Sequence, residues 1–259
     1  MKLAAALVAC NENPKYLEFW PVVKHAWWHV VGIPAIMVYV GEELPEDLKN
    51  DPAVIHFPPI PGWPTATQAQ VIRLLYPALL KADGAVVISD MDIIPMQKNF
   101  FVDGFAQFRE DQFVSLRGID EGNKQVYMCY VGATPATWGK MFSVTSDMDI
   151  CAHLSRLSAM VAADGKHNGE GWFTDQLILY NQVKIWLQSD SSKVGLIPWT
   201  AEIPRLDRAN PEEWLNTNDE FLQRLRTSHY VDFHMPPFHL SKQFVMPIVE
   251  YVRQYVNPT

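Results

Sequence analysis

Cysteine is scarce in this chain of 259 residues: Cys10, Cys129 and Cys151 stand far apart and are odd in number. That pattern excludes a disulfide framework and a zinc site built on Cys pairs, and it fits a reducing, cytoplasmic setting. No apolar run approaches the ~20 residues needed to cross a bilayer, so no transmembrane segment is expected. Basic residues are in deficit, 21 against 29 acidic for a net charge of −8, and no basic stripe interrupts that balance. Nucleic acid is therefore excluded as the main partner. No low-complexity tract and no internal repeat is present beyond two short aspartate motifs. The segment Leu3 to Cys10 has the outline of a lipoprotein leader, but its single Lys2 and short apolar stretch suit a first β-strand better.

The organising stretch is Gly84-Ala85-Val86-Val87-Ile88-Ser89-Asp90-Met91-Asp92-Ile93-Ile94-Pro95. Its apolar, β-branched start predicts a buried parallel strand, and two carboxylates follow at the strand's carboxyl end, where open α/β sheets bind ligands. Two hard oxygen donors at that spacing suit Mg²⁺ or Mn²⁺, so Asp90 and Asp92 are candidate metal ligands. The second copy, Ser146-Asp147-Met148-Asp149, lacks a preceding strand and is expected to cap a helix.

Strands are expected at 3–10, 36–40, 54–57 and 85–88, with a helix over 16–31 and another opened by a capping box at Thr67 and Gln70. The alternation predicts a doubly wound, mostly parallel sheet. Beyond it we expect helices at 100–109, from Pro135, at 151–163, from Trp172 to Val183 and at 244–255. Strands are expected at 112–116, 125–131, 194–197 and 230–235, and 202–218 is polar. The glycine-rich segment 164–171 suits a lid or a connector. His25 and His29 have zinc spacing on a helix, but Ala26 stands where a metalloprotease carries glutamate, so a packed or solvated pair is expected. Trp63, Trp138 and Trp172 fall in or beside expected loops, where an aromatic face could stack on a sugar.

The run Ile72-Arg73-Leu74-Leu75-Tyr76-Pro77-Ala78-Leu79-Leu80 followed by the strand and Asp90-Met91-Asp92 resembles the metal-binding region of GT-A-fold glycosyltransferases, nearest to the glycogenin and bacterial galactosyltransferase-like families. Cys129 to Trp138 is similar to their acceptor-side strand and helix, and Asp175-Gln176 to their Asp-Gln helix. His234 or His239 with Lys242 resembles their closing His and Lys pair. The resemblance implies an α/β, GT-A-like single domain over 1–259, with a nucleotide-binding half at about 1–98 and an acceptor half at about 99–259. It implies a sugar transferred from a UDP- or GDP-linked donor to a glycan, lipid-linked or protein acceptor. Asp90, Asp92 and one of His234 and His239 would hold Mn²⁺ or Mg²⁺. Cys10, Asn11, Arg73, Asp90 and Lys242 would bind the donor, and Asp175 and Gln176 would serve the acceptor chemistry. Two departures from the family pattern are Val131 before Gly132 and Gln243-Phe244 after Lys242. Haloacid-dehalogenase-type phosphatases also place Asp-x-Asp after an apolar strand, and a GT-A-like scaffold without turnover is a further alternative.

Overall fold

The four apolar runs of the first third do form parallel strands. In the computed structural model, which describes residues 1–198, 204–216 and 218–256, β1 is Leu3–Asn11, followed by the short helix α1 Pro14–Leu17 and by α2 Trp20–Ala26. Next come β2 Ala35–Val40, β3 Val54–Phe57, α3 Thr65–Leu75 and β4 Ala85–Ile88. β5 Ile93–Pro95, α4 Lys98–Ala106, β6 Phe113–Ser115, β7 Val131–Ala133, α5 Pro135–Phe142 and α6 Asp147–Met160 follow. The last third holds α7 Thr174–Ser189, β8 Val194–Leu196, β9 Leu206–Asp207, α8 Pro211–Leu215, α9 Asp219–Arg226, β10 Asp232–His234 and α10 Phe238–Tyr251.

Seven strands make the central sheet in the order β3-β2-β1-β4-β7-β6-β8, and β7 alone among them runs against the rest. The chain moves outward from β1 to β3 and then returns to lay β4 on the other side of β1. This reversal opens a crevice between the carboxyl ends of β1 and β4. Alternation along the strands feeds two cores. Leu7, Val86 and Ile88 pack with Ile72 of α3, Trp138 of α5 and Leu179 of α7. Val8 and Val87 pack on the opposite face with Trp27, Phe101 of α4 and Val245 of α10. The architecture is thus a mixed central sheet flanked by helices, as the strand and helix alternation predicts.

A second, three-stranded sheet decides where the functional groups meet. β10 pairs antiparallel with β5, setting His234 opposite Ile93, and parallel with β9, setting His234 opposite Asp207. Neither pairing is foreseeable from two- and three-residue strands, which are too short to show a period.

Several local expectations are corrected. The helix expected over 16–31 is divided: α1 stops at Leu17, α2 begins at Trp20, and a π-helical turn Trp27–Val31 ends at Gly32, whose φ of 85° is a left-handed stop. Thr67 and Gln70 form no capping box, because α3 begins two residues earlier, after Pro64. The buried Gln68 amide instead ties the proline loop, accepting from Ile60 N at 2.9 Å and donating to Trp63 O at 2.7 Å. Residues 125–130 are not a strand, and only Val131–Ala133 pairs in the sheet. The last helix begins six residues early, at Phe238, and ends in a π-helical turn, Val252–Val256. The polar stretch 202–218 contains β9 and α8, while 202–203 and 217 lie outside the described residues. The second aspartate motif caps α6 as expected, Ser146 and Asp149 forming a reciprocal capping box. The His25 and His29 rings pack at a tilt of 45° with centroids 4.3 Å apart, and His25 meets Glu250 at 3.1 Å.

Trp63 and Trp138 are core residues and not stacking platforms: both are buried, and the Trp138 indole donates to Val86 O at 3.2 Å. The centre of the sheet is packed as tightly. A Cβ on Gly132 of β7 would lie 2.7 Å from the Phe105 ring and 3.1 Å from Val86 O. Gly132→Ala should therefore lower unfolding free energy by about 1–3 kcal/mol, the usual cost of overpacking, measured by urea denaturation.

Candidate functional site

The crevice at the strand ends holds a cavity of about 270 Å³, whose lining includes Asn11 from β1, Arg73 from α3, Asp90 and Asp92 after β4, and Asp175 from α7. β4 keeps its sheet pairing through Ser89, whose N donates to Leu7 O at 3.0 Å. A tight turn then closes from Ile93 N to Asp90 O at 3.4 Å before β5 begins. A turn, not an extended segment, separates the two aspartates. Each has its own cation.

Asp90 is held by Arg73. The guanidinium, only 7% exposed, donates from Nη1 to Asp90 Oδ1 and to Ser89 O, and from Nη2 to Asp175 Oδ2 at 2.8 Å. Burial works against its charge, but Asp90 and Asp175 outweigh that penalty and leave the pKa above its ordinary value. Asp175 is 1% exposed, and burial pushes its carboxyl up to about 6, with Arg73 pulling down and Asp90 pushing up. Next to it, the Gln176 amide oxygen is buried with no hydrogen-bond partner. Arg73 thus spends its donors on protein carboxylates at the floor of the crevice.

Asp92 is held from the other side. Its Oδ2 accepts from Arg208 Nη1 at 2.8 Å and faces His234 Nε2 at 3.4 Å. The other ring nitrogen of His234, Nδ1, lies 3.3 Å from Asp207 Oδ2. Burial raises the Asp92 carboxyl, but His234 and then Arg208 overcome it and hold the pKa below the usual carboxylate range. The His234 pKa is raised in turn, burial lowering it and Asp92 more than compensating. β9 carries Asp207 and leads directly into Arg208, and the pairing of β9 with β10 aligns both with His234.

Of the two candidate histidines, His234 is brought to Asp92. His239 is exposed on α10, where its Nδ1 meets Glu18 Oε1 at 2.9 Å, and Lys242, also exposed, lies over the Phe238 ring at 6.0 Å. Neither residue lines the crevice, whereas Arg208, which carries no motif in the sequence, does. Among the described residues no group of three or more His, Cys, Asp or Glu side chains is gathered as a metal-holding cluster.

The β1 side is quieter. Burial pushes the Cys10 thiol up to about 12, and its Sγ donates to Asn11 O at 3.1 Å, so it is an inert wall. Asn11 Nδ2 donates to Thr65 Oγ1 at 3.1 Å, and the Thr65 hydroxyl donates to Glu12 at 2.8 Å. Across the mouth, Tyr16 OH meets His167 Nδ1 at 3.2 Å, and His167 packs on Trp172 with centroids 4.5 Å apart. Trp172 is thus the one of the three singled-out tryptophans that lines the crevice.

The buried Asp175 carboxyl implies a pH dependence with a definite sign. With a folded pKa near 6 against an ordinary 3.8, the folded state holds this proton more tightly than the unfolded. Ionised Asp175 therefore costs stability above pH about 6, and the cost is relieved as the pH falls toward the unfolded value. Asp175→Asn should remove that segment of the profile, so a calorimetric Tm series from pH 7 to 4 should show the wild type gaining on the variant as the pH falls.

No family model and no curated protein matches the chain. Among solved structures it is similar to the galactosyltransferase LgtC in complex with donor and acceptor sugar analogs, at 12% identity and a TM-score of 0.45, over 98% of this chain and 97% of that one. It is also similar to the apo form of the glycosyltransferase GlyE of Streptococcus pneumoniae, at 10% identity and a TM-score of 0.46, over 91% of this chain and 55% of that one.

Proposed function

We propose that this protein transfers a sugar from a nucleoside-diphosphate sugar, UDP- or GDP-linked, to a hydroxyl of a glycan, lipid-linked or protein acceptor. The observation that carries this reading is the switch-point crevice whose floor joins Asp90, Asp92, Asp175 and His234 to two arginines. A sugar diphosphate is an extended anion with a neutral sugar at one end. It suits a crevice whose carboxylates could share a divalent ion with it and whose outer arginine, Arg208, is partly exposed.

The donor set fits Mn²⁺ or Mg²⁺ as a partial site. Such ions are commonly held by one or two protein oxygens with phosphate completing the shell. Asp92 Oδ2 and His234 Nε2, 3.4 Å apart, are the two atoms that would hold it, and Asp207 behind Nδ1 would keep the ring oriented. When bound, the ion would supply positive charge to a β-phosphate as it departs. Arg73 keeps Asp90 and Asp175 in fixed positions through a buried ion pair. Asp175, with a pKa raised to about 6, has the basicity of a group able to take or bind an acceptor proton near neutral pH, and the unpartnered Gln176 oxygen beside it could accept from a sugar hydroxyl. Trp172 and His167 offer ring edges and faces at the mouth.

Calorimetry with UDP, GDP, ADP and CMP, with Mn²⁺ and with chelator, tests the reading. One nucleoside diphosphate should bind in a manganese-dependent way, and Asp92→Asn should weaken that binding by at least about tenfold. No binding of any nucleotide by the wild type would overturn it. Phosphate release from phosphomonoesters in place of nucleotide binding would favour the phosphatase alternative, and binding without sugar transfer or hydrolysis the scaffold.

A further inference from the structure

The two arginines of the crevice are held in opposite ways. Arg73 is buried, and its Nη1, Nη2 and Nε all donate to protein oxygens. Arg208 has a side chain 34% exposed, and among the described residues its recorded side-chain hydrogen bond is the single one from Nη1 to Asp92 Oδ2. Its backbone is fixed, since Arg208 N donates to His234 O at 2.9 Å. A guanidinium carries five donor N–H groups in a planar fork, and Arg208 can therefore pivot about an anchored Cα while still offering donors to a second anion.

That single bond lands on the Asp92 oxygen that also faces His234 Nε2. A divalent ion held between that oxygen and His234 Nε2 would meet the guanidinium there, so guanidinium and ion would compete for it. The competition carries both charge and space, because two cations sharing one carboxylate oxygen repel each other. A diphosphate in the crevice alters the balance, since its oxygens offer the guanidinium a bidentate partner at least as good as the one it leaves.

On the basis of the nucleotide-sugar reading above, we propose that Arg208 is an exchangeable counter-ion. It occupies Asp92 in the free protein, opposes divalent-ion binding there, and transfers to the donor's diphosphate, which makes ion and diphosphate bind cooperatively. No covalent bond changes in this exchange. By linkage, whatever factor the diphosphate adds to ion affinity, the ion adds to diphosphate affinity. Arg208 is a positioning residue on this view, and its removal has opposite effects on the two ligands.

The experiment is a Mn²⁺ titration followed by water-proton relaxation, on the intact protein, without nucleotide and then with saturating UDP or GDP. Wild type, Arg208→Gln and Arg208→Lys are compared, the lysine variant retaining the charge. Without nucleotide, Arg208→Gln should bind Mn²⁺ at least about tenfold more tightly than wild type, since even fully water-screened repulsion between a unit charge and a divalent ion a few ångströms away amounts to roughly that factor. The gain in Mn²⁺ affinity on adding the diphosphate should shrink by a similar factor in Arg208→Gln and persist in Arg208→Lys. Unchanged or weaker Mn²⁺ binding by Arg208→Gln without nucleotide would overturn the proposal, as would absence of Mn²⁺ binding from all three proteins. If neither UDP nor GDP raises Mn²⁺ affinity in the wild type, the nucleotide-sugar reading fails and the cooperative transfer fails with it. The nucleotide-free comparison still decides whether Arg208 guards Asp92.

Discussion

A guanidinium buried between two carboxylates is the constraint on which the crevice depends. Arg73 joins three elements through charge: α3, the turn leaving β4, and the first turn of α7. Taking such charges out of water costs several kcal/mol per ion, about 3–5 kcal/mol being lost when one partner of a buried pair is removed, so the three groups stand or fall together. Once Arg73 holds Asp90, the turn after it has little freedom. Asp92 is delivered to the opposite wall, where β5 takes up its pairing with β10 and brings His234 alongside. The site is therefore a relay of positions fixed in turn, from helix to strand end to second sheet.

Charge distribution follows from the same arrangement. Four carboxylates, Asp90, Asp92, Asp175 and Asp207, lie within or beside the crevice, and the nearest permanent cations are Arg73 and Arg208, with the titratable His234 between Asp92 and Asp207. The deeper arginine is shared by two acids and is fully engaged, whereas the outer one serves a single acid. Depth thus sorts the cations into a structural one and an adjustable one, and burial does the sorting through the cost of leaving a charge without a partner.

What the sequence disclosed was local. The strands β1 to β4 could be read because each is a short apolar run bounded by turn residues, and Asp90 and Asp92 stood out because they follow such a run directly. The capping box at Ser146 and Asp149 was legible for the same reason. Asp175, His234 and Arg73 were candidates from the sequence, and all three do line the crevice. Arg208 was invisible, because a two-residue strand has no periodicity and its partner Asp92 lies 116 residues earlier. Lys242 and His239 illustrate the converse: nearness to His234 in sequence does not carry across Pro236 and Pro237, after which α10 takes its own direction. Trp138 looked accessible beside an expected loop, yet α5 turns its indole into the sheet, where Val86 O satisfies the N–H.

The long separations inside the crevice have a kinetic consequence. Arg73 meets Asp175 across 102 residues, Tyr16 meets His167 across 151, and Asp92 meets Arg208 across 116. Contacts of such high order pay loop-closure entropy before they return any energy, which slows folding. The crevice is therefore complete only when contacts between residues more than a hundred positions apart have all formed, and a chain cut short of β9 and β10 would present its carboxylates without their outer arginine.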